Sequence, residues 1–123
     1  MRNKILLIDD DVLVLKTLEK VLARQGYEVL AVSDGDDACK ALKGKKINLI
    51  ISDIRMPRLS GIDTMRKIRN DDQTEIKQTP IILITGYASE EAPIDAVKLG
   101  AKDYLLKPFD LDELIKSVQK NIG

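Results

Sequence analysis

Histidine is absent from all 123 residues of the chain. That absence excludes histidine acid–base catalysis, histidine metal ligands and any role as a phosphohistidine carrier. Cysteine occurs once, as Cys39, so no internal disulfide can form, and a reducing cytoplasm is the expected setting. Beside Ala38 and Ala41, Cys39 reads as a packing residue. No apolar run approaches the ~20 residues of a membrane span. The opening Met1-Arg2-Asn3-Lys4 leads into only four apolar residues and then three aspartates, so no signal peptide is expected. Neither sign of charge is in excess. The 20 Lys and Arg residues stand against 20 Asp and Glu, which gives no case for nucleic-acid binding through a basic surface. The chemistry must come from carboxylates, lysine, hydroxyls and backbone.

The composition, 44% hydrophobic and 33% charged, suits a globular protein and argues against disorder. The length predicts one domain over residues 1–123, able to bury roughly two thirds of its unfolded surface. Short apolar runs recur at Ile5–Ile8, Val29–Val32, Leu49–Ile51, Ile81–Ile84 and Tyr104–Leu106. Runs this short and rich in Ile and Val predict parallel strands buried on both faces. Amphipathic stretches lie between and after them. Val14, Leu15, Leu18, Val21 and Leu22 share a helical face, with Gly26 as a stop. Further helical patterns run through Ala38–Leu42, Ile62–Ile68, Ile94–Leu99 and Leu111–Ile122. Asp110 and Glu113 have the spacing of a capping box before the last helix. The polar stretch from Asn70 to Thr79 is the longest loop. Strict alternation predicts an α/β fold, a doubly wound parallel sheet of five strands with five helices on its two faces. Right-handed crossovers bring every strand's carboxyl end to one edge, where ligands bind in such folds.

Polar residues collect at that edge. The first strand ends in Asp9-Asp10-Asp11, the third in Asp53, the fourth in Thr85-Gly86 and the fifth in Lys107-Pro108. Asp11 reads as the cap of the first helix. Asp9, Asp10 and Asp53 converging with Lys107 would leave about two negative charges, and like charges so close repel. A divalent cation resolves this, and an all-oxygen site with open positions favours Mg²⁺. Asp53 is then the expected nucleophile toward an activated electrophile, and phosphoryl transfer suits it because positioning and electrostatics do nearly all the work. Mg²⁺, Lys107 and the Thr85 hydroxyl would each take one phosphoryl oxygen.

These stretches, with Ser52-Asp53-Ile54-Arg55-Met56-Pro57, Leu83-Ile84-Thr85-Gly86-Tyr87 and Gly100–Phe109, resemble the receiver domain of bacterial two-component response regulators along essentially the whole chain. The resemblance implies a flavodoxin-like (βα)5 fold with strand order 2-1-3-4-5. It implies Asp53 as phosphoacceptor, and Asp10 as a direct Mg²⁺ ligand with Asp9 acting directly or through water. The backbone carbonyl of Arg55 would be a further ligand, and Mn²⁺ would be able to substitute. Lys107 would pair with Asp53 or its phosphoryl group, and the Lys107–Pro108 bond would be cis. Thr85 and Tyr104 would be the switch pair, and Arg55 and Tyr87 would flank the phosphoryl group and tune its lifetime. Pro93 in a first-turn position would start the fourth helix near Ala92.

The resemblance also implies a phospho-accepting switch rather than a conventional enzyme. A sensor histidine kinase or histidine phosphotransfer protein would be the donor. Phosphorylation would remodel the surface of the fourth helix, fifth strand and fifth helix, for homodimerisation or for an effector. The chain reads either as a stand-alone regulator or as the N-terminal piece of a longer one. Three other protein classes share part of this pattern. A haloacid-dehalogenase-like phosphatase would use Asp9 as nucleophile with Asp11 two positions on, but Leu13 replaces the usual small residue and a cap domain does not fit. A flavodoxin-like cofactor domain would meet repulsion from three aspartates at the cofactor phosphate. A degenerate receiver would lack one of Asp9, Asp10, Asp53, Thr85 or Lys107, and all are present.

Overall fold

The computed structural model describes residues 3–33, 37, 40, 47–53, 79–85, 101–107 and 109–122. The second, third and fourth helical stretches, with Cys39 and Pro93, fall outside these residues apart from Asp37 and Lys40. Five strands are described, β1 (Lys4–Ile8), β2 (Glu28–Val32), β3 (Leu49–Asp53), β4 (Ile81–Thr85) and β5 (Asp103–Leu106). Two helices join them, α1 (Val12–Arg24) after β1 and α2 (Leu111–Ile122) after β5. The strands form one sheet in the order β2-β1-β3-β4-β5, every neighbour parallel, as the resemblance implies.

The register sorts side chains onto two faces. Ile5 lies opposite Leu49 and Leu7 opposite Ile51, while Ile51 lies opposite Ile82. These residues, with Ile84, join Leu15, Leu18 and Leu22 of α1 and Leu114 and Val118 of α2 in one buried cluster. Leu6, Ile8, Ile50, Ile81 and Leu83 alternate with them, point to the other face and are equally buried. Burial on both faces is why β1, β3 and β4 read as unbroken apolar runs. The expectation of two-sided burial fails for β2 and β5, whose residues are mostly half-buried. Among the described residues those strands close the sheet at its two sides, each with a neighbour on one flank only.

Local signals set the ends of α1. The Asp11 carboxylate accepts the N–H groups of Leu13 and Val14 at 3.0 and 3.4 Å, which caps the helix as expected. At the other end Gly26 takes a φ of +94°. Its N–H donates to the Ala23 carbonyl while the Tyr27 N–H reaches back to Leu22, closing the last turn. The α2 helix begins one residue after Asp110, whose carbonyl accepts the N–H groups of Glu113 and Leu114. Thr79, the end of the polar loop, is buried at the amino edge before β4, where its hydroxyl donates to the Ile47 carbonyl at 3.4 Å.

Candidate active site at the carboxyl edge

Strand alternation delivers the site. The core face reads Ile5, Leu7 and then Asp9 past β1; Leu49, Ile51 and then Asp53 in β3; and Leu105 and then Lys107 past β5. At the carboxyl edge the apolar series thus ends in charged groups on the same face. Asp53 lies inside the strand, as β3 runs two residues beyond its apolar run. The Asp9 N–H still donates to the Val32 carbonyl at 3.2 Å, so the β1–β2 ladder fixes its backbone.

Lys107 Nζ bridges Asp9 Oδ2 at 3.0 Å and Asp53 Oδ2 at 2.9 Å. Asp9 is fully buried, and its second oxygen, Oδ1, accepts the Asp11 N–H at 2.9 Å. Asp53 is buried as well, and the Ser52 hydroxyl donates to its backbone carbonyl at 3.1 Å. Asp10 is exposed, because it lies two residues past the end of β1, where the chain bends away from the sheet. Even so, one carboxylate oxygen from each of Asp9, Asp10 and Asp53 lies within 4.8 Å of the others. Three carboxylates against one ammonium leave the crevice negative, and three hard oxygen donors with room for water fit a Mg²⁺-sized ion.

The electrostatics follow from burial and pairing. Desolvation raises the Asp9 carboxyl above its ordinary value, and the Asp53 charge adds to that; the Asp11 N–H and Lys107 pull the other way without outweighing it. For Lys107, desolvation favours the neutral amine, but the bonds to Asp53 and Asp9 outweigh it and hold the ammonium above its usual value. Tyr104 is half-buried, and burial raises its hydroxyl, which stays neutral at pH 7. Thr85 ends β4 opposite Leu106, at the same sheet edge as Asp53. Its side chain, and Arg55, Tyr87 and Pro108, lie outside the described residues. An apolar groove of about 380 Å³ opens beside Lys107, lined by Leu13, Val14, Thr17, Leu18, Phe109 and Leu111. No local sequence signal marks this groove, because its lining comes from α1, the Lys107 turn and the start of α2, and Leu13 shows itself as surface only by its 77% exposure.

A family model for the response regulator receiver domain matches residues 5–119. The chain belongs to that family. Among its curated relatives, the regulatory protein AtoC of Escherichia coli is 37% identical over 96% of this chain and 25% of its own length. The transcriptional regulatory protein CpxR of Escherichia coli is 38% identical over 95% of this chain and 48% of its own. The receiver therefore spans between a quarter and about half of these relatives. The solved structure of chemotaxis protein CheY4 from Vibrio cholerae superposes with a TM-score of 0.91 at 30% identity, covering 98% of this chain and 99% of that one. The receiver domain of sensor histidine kinase PA1611 from Pseudomonas aeruginosa matches with a TM-score of 0.88 at 32% identity, over 100% of this chain and 99% of that one. That structure holds a magnesium ion coordinated in the active-site cleft. Receivers of this family act as phosphorylation-regulated switches. No helix among the described residues is long and apolar enough to cross a membrane.

Proposed function

We propose that this receiver takes a phosphoryl group onto Asp53 from the phosphohistidine of a sensor histidine kinase or histidine phosphotransfer protein. The observation that carries the reading is the Lys107 ammonium at 2.9 Å from an Asp53 oxygen, with carboxylates of Asp9 and Asp10 beside it. An Asp53 oxygen attacks phosphorus, the P–N bond breaks, and the imidazole nitrogen keeps the electron pair and takes a proton from water. Lys107 already holds Asp53 and needs only a small shift to meet a phosphoryl oxygen, so its positive charge is in place before the reaction. The Thr85 hydroxyl takes a second oxygen.

Asp9, Asp10 and Asp53, with the Arg55 carbonyl, would hold Mg²⁺, and Mn²⁺ offers the same preference for oxygen. When bound, the ion supplies positive charge against the phosphoryl oxygens. Asp9 is the rival acceptor under a phosphatase-like reading. Its full burial, with one oxygen on Lys107 and the other on the Asp11 N–H, favours a holding role and leaves Asp53 as acceptor.

The phosphorylated state adds close to two negative charges beside Lys107 and Thr85. Thr85 and Tyr104 transmit that change to the surface of the fourth helical stretch, β5 and α2, for homodimerisation or an effector. Hydrolysis of the acyl phosphate resets the switch, at a rate set by Arg55 and Tyr87. Residues 1–123 form one such unit, acting in the cytoplasm.

Intact mass after incubation with Mg²⁺ and phosphoramidate tests the assignment. One phosphoryl group is expected on the wild type and none on Asp53→Asn. Label persisting on the variant would assign the chemistry to Asp9 instead, and no label on either would leave a binding domain without phosphoacceptor chemistry.

A further inference from the structure

Lys107 must hold its ammonium on carboxylates from β1 and β3, yet it follows β5, a four-residue strand with one neighbour. The β4–β5 ladder, with the Lys102 N–H on the Ile81 carbonyl, is its bonding to the sheet among the described residues. On the other side, Leu105 and Phe109 pack against the apolar cluster that contains Leu114 and Val118. Apolar contacts are non-directional, so by themselves they hold β5 against the helix without fixing its position closely.

A polar contact stands in this apolar seam. Ser117 of α2, buried next to Val118, donates its hydroxyl to Asp103 Oδ2 at 2.5 Å. The other Asp103 oxygen accepts the Tyr104 N–H at 2.8 Å. Asp103 lies on the same strand face as Leu105 and Lys107, roughly 13 Å below Lys107 at ~3.3 Å per residue. The Asp103–Ser117 bond closes the strand, the Lys107 turn and the helix into one ring. A shift of β5 against α2 takes the buried Ser117 hydroxyl from its acceptor and one Asp103 oxygen from its donor, a cost that apolar contacts alone do not impose.

We propose that Asp103 and Ser117 are positioning residues for Lys107: their bond locks β5 to the C-terminal helix and so fixes the ammonium over Asp9 and Asp53. The rate arm of the test rests on Asp53 as acceptor; the spectroscopic arm does not. Ser117→Ala removes the bond and keeps the helix. Val118→Ala serves as a destabilised control in the same turn. In the metal-free protein, the nitrogen-15 ammonium signal of Lys107 is expected to be slowed in exchange by its two carboxylates. That signal should broaden or vanish in Ser117→Ala and persist in Val118→Ala.

Phosphoramidate labelling of Ser117→Ala should slow about tenfold or more, since misplacements near 1 Å can cost ~100-fold. Its Mg²⁺ affinity, set by the aspartates, should stay within twofold of the wild type. Asp103→Ala combined with Ser117→Ala should be no slower than Ser117→Ala alone. An unchanged Lys107 signal in Ser117→Ala, or equal slowing in Val118→Ala, would overturn the proposal and leave the pair as a structural contact. A wild type that takes no label, with the Lys107 signal still lost in Ser117→Ala, would overturn the phosphoacceptor reading and leave the positioning role standing.

Discussion

Asp9 sits out of water between an ammonium and a second carboxylate, and its raised carboxyl records the electrostatic cost of ionising it there. A carboxyl held above its unfolded value gives its full stabilising contribution below that value, near pH 3.9. The contribution is lost as pH rises through the folded value, so at neutral pH the metal-free site carries a penalty. Asp9→Asn keeps an Oδ1 acceptor for the Asp11 N–H and removes the charge. With a chelator at pH 7.5 the variant should therefore be more stable than the wild type, by about 1 kcal/mol or roughly 4 °C in Tm. The gain should shrink below pH 4, and the stabilisation by added Mg²⁺ should largely disappear. Thermal melts at the two pH values, with and without Mg²⁺, check this; a variant less stable than wild type at pH 7.5 with chelator would contradict it. The placement of Asp9, Asp10, Asp53 and Lys107 at one edge was legible from the strand ends. That Asp9 is enclosed while Asp10 faces water was not, because it depends on how the chain bends away from the sheet after β1.

At the scale of elements, α1 shows how much local sequence decides. Its apolar spacing, the Asp11 cap and the Gly26 stop each mark it before any tertiary contact is known. Asp11→Ala should cost about 1 kcal/mol in urea unfolding, since it frees the N–H groups of Leu13 and Val14 at the helix start. A loss below roughly 0.3 kcal/mol would show that the cap is dispensable. At Gly26 nothing lies within 4 Å of an added Cβ, so the positive φ is the sole strain a substitution would meet. The limits of β3 and β5 were less legible. Ser52 and Asp53 continue β3 although neither is apolar, and Asp103 opens β5, because ladder bonds to β4 extend past the apolar run. The Asp103–Ser117 pair shows no local sign at all, since its partners stand 14 residues apart on different elements.

Across the whole molecule, stability concentrates in the sheet's interior, and the surface groove adds little. Ile51, fully buried in the central strand, should lose about 3 kcal/mol on truncation to alanine. Leu13→Ala, at 77% exposure, should stay within about 0.5 kcal/mol. Urea midpoints at constant slope check the contrast; equal losses would mean that Leu13 is covered in solution.

The sequence by itself determined the alternation of elements, the two-faced burial of the inner strands, the start and stop of α1, and which polar residues stand at the carboxyl ends. Those features follow from local periodicity and capping chemistry, which act over a few residues. Strand order came from the family likeness, since alternation with right-handed crossovers admits more than one order. The family likeness implied the Lys107–Asp53 pair; tertiary structure alone decided that the same ammonium also reaches Asp9, 98 residues away, and that the outer strands are half-buried. It also decided that Ser117 meets Asp103. These contacts depend on which strands become neighbours and which helix covers them, and only the assembled sheet fixes those distances.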